Sequence, residues 1–295
     1  MIKGMISNLN INLQYFSIEN NGIKNYYYLP ARLFSVFGHS LLDGQIVALT
    51  ITENTKIINH IRMYQIGSFL TISYPNSSKI LYNAQALQRK VYEVLKNNSY
   101  YLIIDFEVSM ARFREKNFQG QILQAGYLLV KLGQGEQNVL SGAQYTKEIR
   151  RDNLFLKPTN MDIHNPKIFN LIRASKEEYF RLCVDYMVFY EQLKTIMKEY
   201  NPKIVIWGAN DIQTLNNSYL FNQVEPLTTK DNFINLLKLH RDFYNLTDDL
   251  GLYSAYNLYY DSSHVQDHDA LNDALKTAFV LDAFYGVLRN IFEDE

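Results

Sequence analysis

The 295-residue sequence holds a single cysteine, Cys183. That excludes an internal disulfide framework and fits a reducing compartment, so a cytoplasmic location is expected. No window approaches the roughly 20 apolar residues of a membrane span, and the opening MIKGMISNLNINLQ lacks the apolar centre of a signal peptide. Membrane partners are therefore not expected. A broad basic excess is missing as well: 29 basic against 30 acidic residues give a net charge of −1, so any nucleic acid must be gripped locally rather than by a general positive field. Internal repeats, low-complexity tracts and a Cys/His arrangement suited to zinc are also lacking.

What is present is an ample apolar fraction, 47%, with 23 tyrosines and 17 phenylalanines. This is enough for one large domain or two smaller ones. Aromatic faces stack on unpaired bases for about 1–3 kcal/mol each, although most such rings serve as core. Residues 1–76 read as short β segments, at Asn10–Tyr15, Gln45–Thr52, Lys56–Tyr64 and Ser68–Tyr74, divided by Gly, Asn and Asp. Such a stretch suggests a small β domain, an OB-like or SH3-like barrel. It carries Lys3, Lys24, Arg32, Lys56 and Arg62 against Glu19, Asp43 and Glu53, net +2, which favours it as the part that holds a nucleic-acid strand. Pro75-Asn76-Ser77-Ser78 marks a break, and the helical spacing of Leu87, Val91 and Leu95 makes 77–98 a linker helix.

From Tyr100 the pattern becomes mixed α/β, with apolar runs at Tyr101–Ile104, Ile122–Val130 and Ile204–Trp207. A long amphipathic stretch, Lys176–Tyr200, reads as core-covering helix, with a homodimer face left open. Leu271, Leu275, Ala278, Leu281, Phe284 and Leu288 predict a closing helix over Asp269–Asn290.

Three places carry candidate chemistry. In Tyr100-Tyr-Leu-Ile-Ile-Asp105-Phe-Glu107, strand alternation puts Asp105 and Glu107 on one face and Phe106 on the other. Two carboxylates about 4 Å apart repel by about 4 kcal/mol at an effective dielectric of 20, and a hard divalent cation would offset this. Solvated strand ends carry such pairs too. In Trp207-Gly-Ala-Asn-Asp211, an aspartate opens a helix, where it could equally serve as N-cap. In His268-Asp-Ala-Leu-Asn-Asp273, the histidine precedes a helix that carries the aspartate. His264 and Asp269 have the same spacing and stay open as a rival pair; Ala270, Ala274 and Thr277 around Asp273 favour the later one, by leaving room for a metal.

In this order, Asp-Phe-Glu, Trp-Gly-Ala-Asn-Asp and His-x4-Asp resemble the three exonuclease motifs of the DnaQ-like DEDDh family, with a form similar to its histone-mRNA and small-RNA exonuclease branch. Gln121-Ile-Leu-Gln-Ala-Gly126 resembles the family's second strand and Phe155-Leu-Lys-Pro158 its following strand end. The resemblance covers 99–295. It implies an RNase H-like, mixed five-stranded sheet with flanking helices, and a 3′-5′ exonuclease that frees nucleoside monophosphates from single-stranded RNA or DNA 3′ ends, RNA slightly preferred. It further implies two Mg²⁺ or Mn²⁺ ions on Asp105, Glu107, Asp211 and Asp273, His268 as general base, and Phe106 and Ser109 near the terminal nucleotide. Ser109 replaces the family's common threonine and keeps the hydroxyl. A non-catalytic nucleic-acid-binding or assembly module and a polymerase proofreading subunit are the alternatives. Retention of all five acidic and histidine positions speaks against the first. The second is disfavoured by the expected lack of a tethering tail after Phe292.

Overall fold

A computed structural model describes residues 1–75, 80–109, 120–133, 143–159, 167–246, 248–260 and 268–293. They fall into two compact units, Met1–Val91 with Arg241–Asp249, and Tyr92–His240 with Leu250–Glu295.

The first unit is built on β1 (Ile2–Asn10), β2 (Tyr15–Asn20), β3 (Ile23–Tyr28), α1 (Ala31–Phe37), β4 (Ile46–Ile58), β5 (Ile61–Ser73) and β6 (Ile80–Asn83). The sheet runs β3-β2-β1-β4-β5-β6, and β3 pairs in parallel with β5. That last pairing closes the first five strands into a barrel in the cyclic order 1-2-3-5-4, with α1 between β3 and β4, an OB-like arrangement. Phe16, Ile18, Tyr27, Leu33, Leu49, Ile66 and Phe69 fill its interior.

Two of the expected strands are corrected here. Asn10–Tyr15 is mostly a turn: β1 ends at Asn10, whose side-chain oxygen accepts from the Leu13 N–H at 2.9 Å. Lys56–Tyr64 is a hairpin tip, because Asn59 and His60 are both left-handed, with φ of 50° and 63°, and reverse the chain between β4 and β5. The unit also has a cavity of about 510 Å³, lined by Phe69, Tyr82 and Gln88 together with Phe243 and Tyr244.

The second unit holds a five-stranded mixed sheet, β11 (Phe233–Asn235), β10 (Lys203–Ile206), β7 (Tyr100–Val108), β8 (Ile122–Leu132) and β9 (Thr146–Phe155), in that order. The β10 strand is parallel to β11 and β7, whereas β8 is antiparallel to β7 and β9. The RNase H-like expectation for the sheet holds. Alternation along β7 decides what each face meets. Leu102, Ile104 and Phe106 pack with Tyr186, Phe189, Leu193, Leu215 and Tyr219 of α5 (Tyr186–Tyr200) and α6 (Asn210–Phe221). Asp105 and Glu107 therefore point to the opposite face, on the side of α9 (Ala270–Phe292).

The stretch read as one helix over Lys176–Tyr200 is two, α4 (Lys176–Leu182) and α5. Asp185 caps α5 by accepting from the Met187 N–H, and Val184 bridges to Leu156, so the chain turns extended between them. The remaining helices are α2 (Ala84–Lys96), α3 (Lys167–Leu171), α7 (Leu236–Tyr244) and α8 (Leu252–Tyr260). Among the described residues no helix is long and apolar enough to cross a membrane.

The long helix α9 is fixed at mid-length by Asp282. This buried carboxylate accepts from the N–H groups of Gln144 and Tyr145, at 2.8 and 2.6 Å, and from the Thr146 hydroxyl.

Candidate active site

Asp105 and Glu107 lie near the end of β7, opposite Gly126 and Gln124 of β8. Gly126 is the reason a helix can reach this spot. A β-carbon there would lie 2.2 Å from the Ala270 carbonyl carbon and from the Leu271 nitrogen, so the first turn of α9 rests directly on the strand backbone. This close approach brings Asp273, buried one turn further on, over the carboxylates of β7.

Side-chain bonds hold the same turn in place. Asp269 is the N-cap of α9, accepting from the Asn272 N–H at 2.9 Å. Its other oxygen accepts from the buried Gln124 amide at 2.8 Å and from Asn153 at 3.5 Å. Gln124 also donates to Asn153 Oδ1 at 3.0 Å, while its own Oε1 has no hydrogen-bond partner among the described residues. His268 is left-handed, with φ of 52°, and this turn presents its ring to Glu107, with Nδ1 3.9 Å from Oε1. Candidate ligand atoms of Glu107, His268 and Asp273 all lie within 4.8 Å of one another.

Asp211 enters from α6. It sits in the first turn rather than at the cap, which is Ala209, and its carboxylate feels the backbone N–H groups of Asp211 and Phe106, which pull its pKa down. From α8, the Tyr253 hydroxyl donates to Asp273 Oδ1 at 2.9 Å. Neither Tyr253 nor Gln124 had a local signature in the sequence; both act through contacts made only when distant segments meet.

The electrostatics follow from this crowding. Burial, then the charges of Asp211, Asp273, Glu107 and Asp269, raise the Asp105 carboxyl well above the usual carboxylate range. Burial and then Asp273, Asp211 and Asp269 push Glu107 up to about 8. Asp211 is pushed up to about 7 by burial, against the pull of its two N–H donors. A set of buried oxygen donors that destabilise one another's charge fits hard divalent cations.

The structure thus brings together all five of Asp105, Glu107, Asp211, His268 and Asp273. It does not bring the side chains of Phe106 and Ser109 to them. Phe106 turns into the core and meets Phe189 edge-on at 5.9 Å, and the buried Ser109 hydroxyl accepts from the Gln121 N–H at 2.9 Å. His264, of the rival pair, lies outside the described residues.

No protein-family model matches the chain. The probable 3′-5′ exonuclease KapD of Bacillus subtilis is 28% identical over 187 residues, 61% of this chain and 81% of that protein. The fold of the nuclease domain of 3′hExo, a DEDDh family member solved with rAMP, matches 65% of this chain and 93% of that one, with a TM-score of 0.50 and 16% identity. A full-length 3′-exonuclease matches with the same score and identity, and the chain spans 61% of its length. The motif order, the convergence of those motifs over the end of the central strand β7, and the KapD similarity together liken the chain to the DnaQ-like DEDDh family of 3′-5′ exonucleases.

Proposed function

We propose that the chain trims single-stranded nucleic acid from its 3′ end by two-metal-ion hydrolysis, releasing nucleoside 5′-monophosphates, with RNA somewhat preferred over DNA. The observation that carries this is the meeting of four carboxylates from β7, α6 and α9, whose burial and mutual repulsion call for bound cations. Asp105, Glu107, Asp211 and Asp273 would hold two Mg²⁺ or Mn²⁺ ions. Such a pair, when bound, supplies an activated water and charge stabilisation for the leaving oxygen of an in-line displacement.

The chain's own groups do the rest. His268 takes the proton of the attacking water; its side chain is 45% exposed, so the proton passes readily to solvent. The water oxygen bonds to the terminal phosphorus as the bond to the 3′ oxygen of the preceding nucleotide breaks, leaving a strand with a new 3′-hydroxyl. Tyr253 fixes one oxygen of Asp273. A DEDDh nuclease domain of the same fold was solved with rAMP, which supports the ribose preference.

The test is cleavage of 3′- and 5′-labelled RNA and DNA single strands with Mg²⁺, Mn²⁺ or EDTA, with Asp105→Ala as control. Ladders that shorten from the 3′ end, need metal and vanish in the variant are expected. Metal-independent cleavage, or full activity in Asp105→Ala, would overturn the proposal.

A further inference from the structure

We propose that the cavity of the first unit is a binding site for a neutral heterocycle of the nucleobase type, taken as a free nucleoside or free base. The inference goes beyond the exonuclease reading: the cavity shares no residue with the cleavage site, and its ligand is not the strand that is cut.

The cavity is formed where β5, β6 and the first turns of α2 meet Phe243, Tyr244 and Asn245. Its volume of about 510 Å³ lies within the roughly 300–1,000 Å³ of small-molecule sites, and well above the roughly 30 Å³ share of one water.

The apolar part of the lining is aromatic, and its rings are braced by other rings. Phe69 meets Phe37 edge-on at 5.0 Å and is stacked with Phe16 at 6.3 Å. Tyr82 meets the same Phe37 edge-on at 4.9 Å. At the end of α7, Phe243 and Tyr244 meet edge-on at 4.8 Å. Rings fixed in this way before a ligand arrives lose little freedom when it stacks on them.

The polar part of the lining is rich in amides. Asn83 Oδ1 accepts from the Ala86 N–H at 3.0 Å, so what this side chain offers a ligand is its NH₂ group. Gln88 is arranged the other way. Its amide nitrogen is turned to the Phe243 carbonyl, at 3.5 Å, and its oxygen is the atom to accept from a ligand. A donor on one amide and an acceptor on another suit the mixed edge of a base. Gln85 and Asn245 add two further amides.

Among the described residues that line the cavity, none is Asp, Glu, Lys, Arg or His, although 20% of the chain is charged. A phosphate or carboxylate would enter without a counter-charge, so nucleotides and strands are disfavoured. A purely apolar ligand would leave the amides of Asn83 and Gln88 without the water they give up. A flat, uncharged ring system with hydrogen-bonding edges meets both demands, by stacking on the rings and pairing with the amides.

The experiment is isothermal titration calorimetry of the full chain in EDTA, with adenosine, cytidine and uridine, their free bases and their 5′-monophosphates. At least one nucleoside or base should bind one to one at submillimolar concentration, and the matching monophosphate at least tenfold more weakly. Gln88→Leu keeps the size of the side chain and loses its hydrogen bonds, and Tyr244→Ala removes a ring from a residue that is 37% exposed. Each should weaken binding at least tenfold, whereas Tyr244→Phe stays within threefold of the wild type. Hydrolysis of a dinucleotide with Mn²⁺ should be unchanged in all three. No binding at millimolar concentration, or wild-type affinity in either Gln88→Leu or Tyr244→Ala, would overturn the site, as would a monophosphate that binds as tightly as its nucleoside. If binding behaves as expected in a chain that cuts no strand, the exonuclease reading fails and the site stands.

Discussion

Replacing Gly126 by alanine adds one methyl group, and the geometry says where it goes. The new β-carbon would sit 2.2 Å from backbone atoms of Ala270 and Leu271, whereas ordinary contact begins at about 3.4 Å. Neither neighbour is a flexible side chain, so the first turn of α9 must lift by about 1.2 Å, the difference between the two distances. Overpacking of this kind costs about 1–3 kcal/mol. At about 2–4 °C per kcal/mol for a domain of this size, the melting temperature should fall by roughly 2–12 °C. The lift carries His268 and Asp273 away from Asp105 and Glu107, and a misplacement near 1 Å can lower turnover about 100-fold. Steady-state hydrolysis of a 3′-labelled strand should therefore show kcat down about 100-fold and KM changed less than threefold. Gly133→Ala is the control, because a β-carbon there meets nothing within 4 Å among the described residues; it should leave kcat unaltered. A Gly126→Ala enzyme with kcat within twofold of wild type would refute the reasoning.

The other predictions concern the charge and the cap. Because burial and like charges raise Asp105, and raise Glu107 to about 8 and Asp211 to about 7, the metal-free fold holds more protons than the unfolded chain from about pH 4 to pH 8. Its melting temperature in EDTA should therefore fall as pH rises through that window, and Mg²⁺ or Mn²⁺ should restore it at pH 8. A melting temperature that climbs with pH in EDTA would contradict this. His268→Ala should depress kcat at least 100-fold with little change in strand affinity, while His264→Ala stays within threefold of wild type; kinetics in the reverse order would assign the proton transfer to the wrong ring. Asp269→Ala should cost about 1 kcal/mol in urea unfolding, through loss of the cap, and lower kcat about tenfold with Asp273 still in place.

Local rules made some of this visible in the sequence. The apolar run ending in Asp105 and Glu107 read as a strand with both acids on one face, and the three- and four-residue spacing from Leu271 to Leu288 read as a helix. The turn at Asn59-His60 escaped because neither residue is the glycine that marks most such hairpins; both adopt the left-handed conformation regardless. The break between α4 and α5 escaped because tyrosines kept a helical period across Cys183–Asp185. The capping role of Asp269 and the need for glycine at 126 depend on β8 meeting α9, some 145 residues later, and no window of sequence contains both. Tyr253 stayed hidden for the same reason.

The nine residues Arg241–Asp249 belong with Met1–Val91 although the chain reaches them only after most of the other unit. During synthesis the N-terminal unit therefore gains its last segment late, after its barrel strands are complete. At about 5–20 residues per second, the roughly 150 intervening residues take on the order of 8–30 s to appear. Over that interval the cavity beside Phe69, Tyr82 and Gln88 lacks the wall that Phe243 and Tyr244 supply, so a nascent chain halted between Gln88 and Arg241 carries this cavity open on that side.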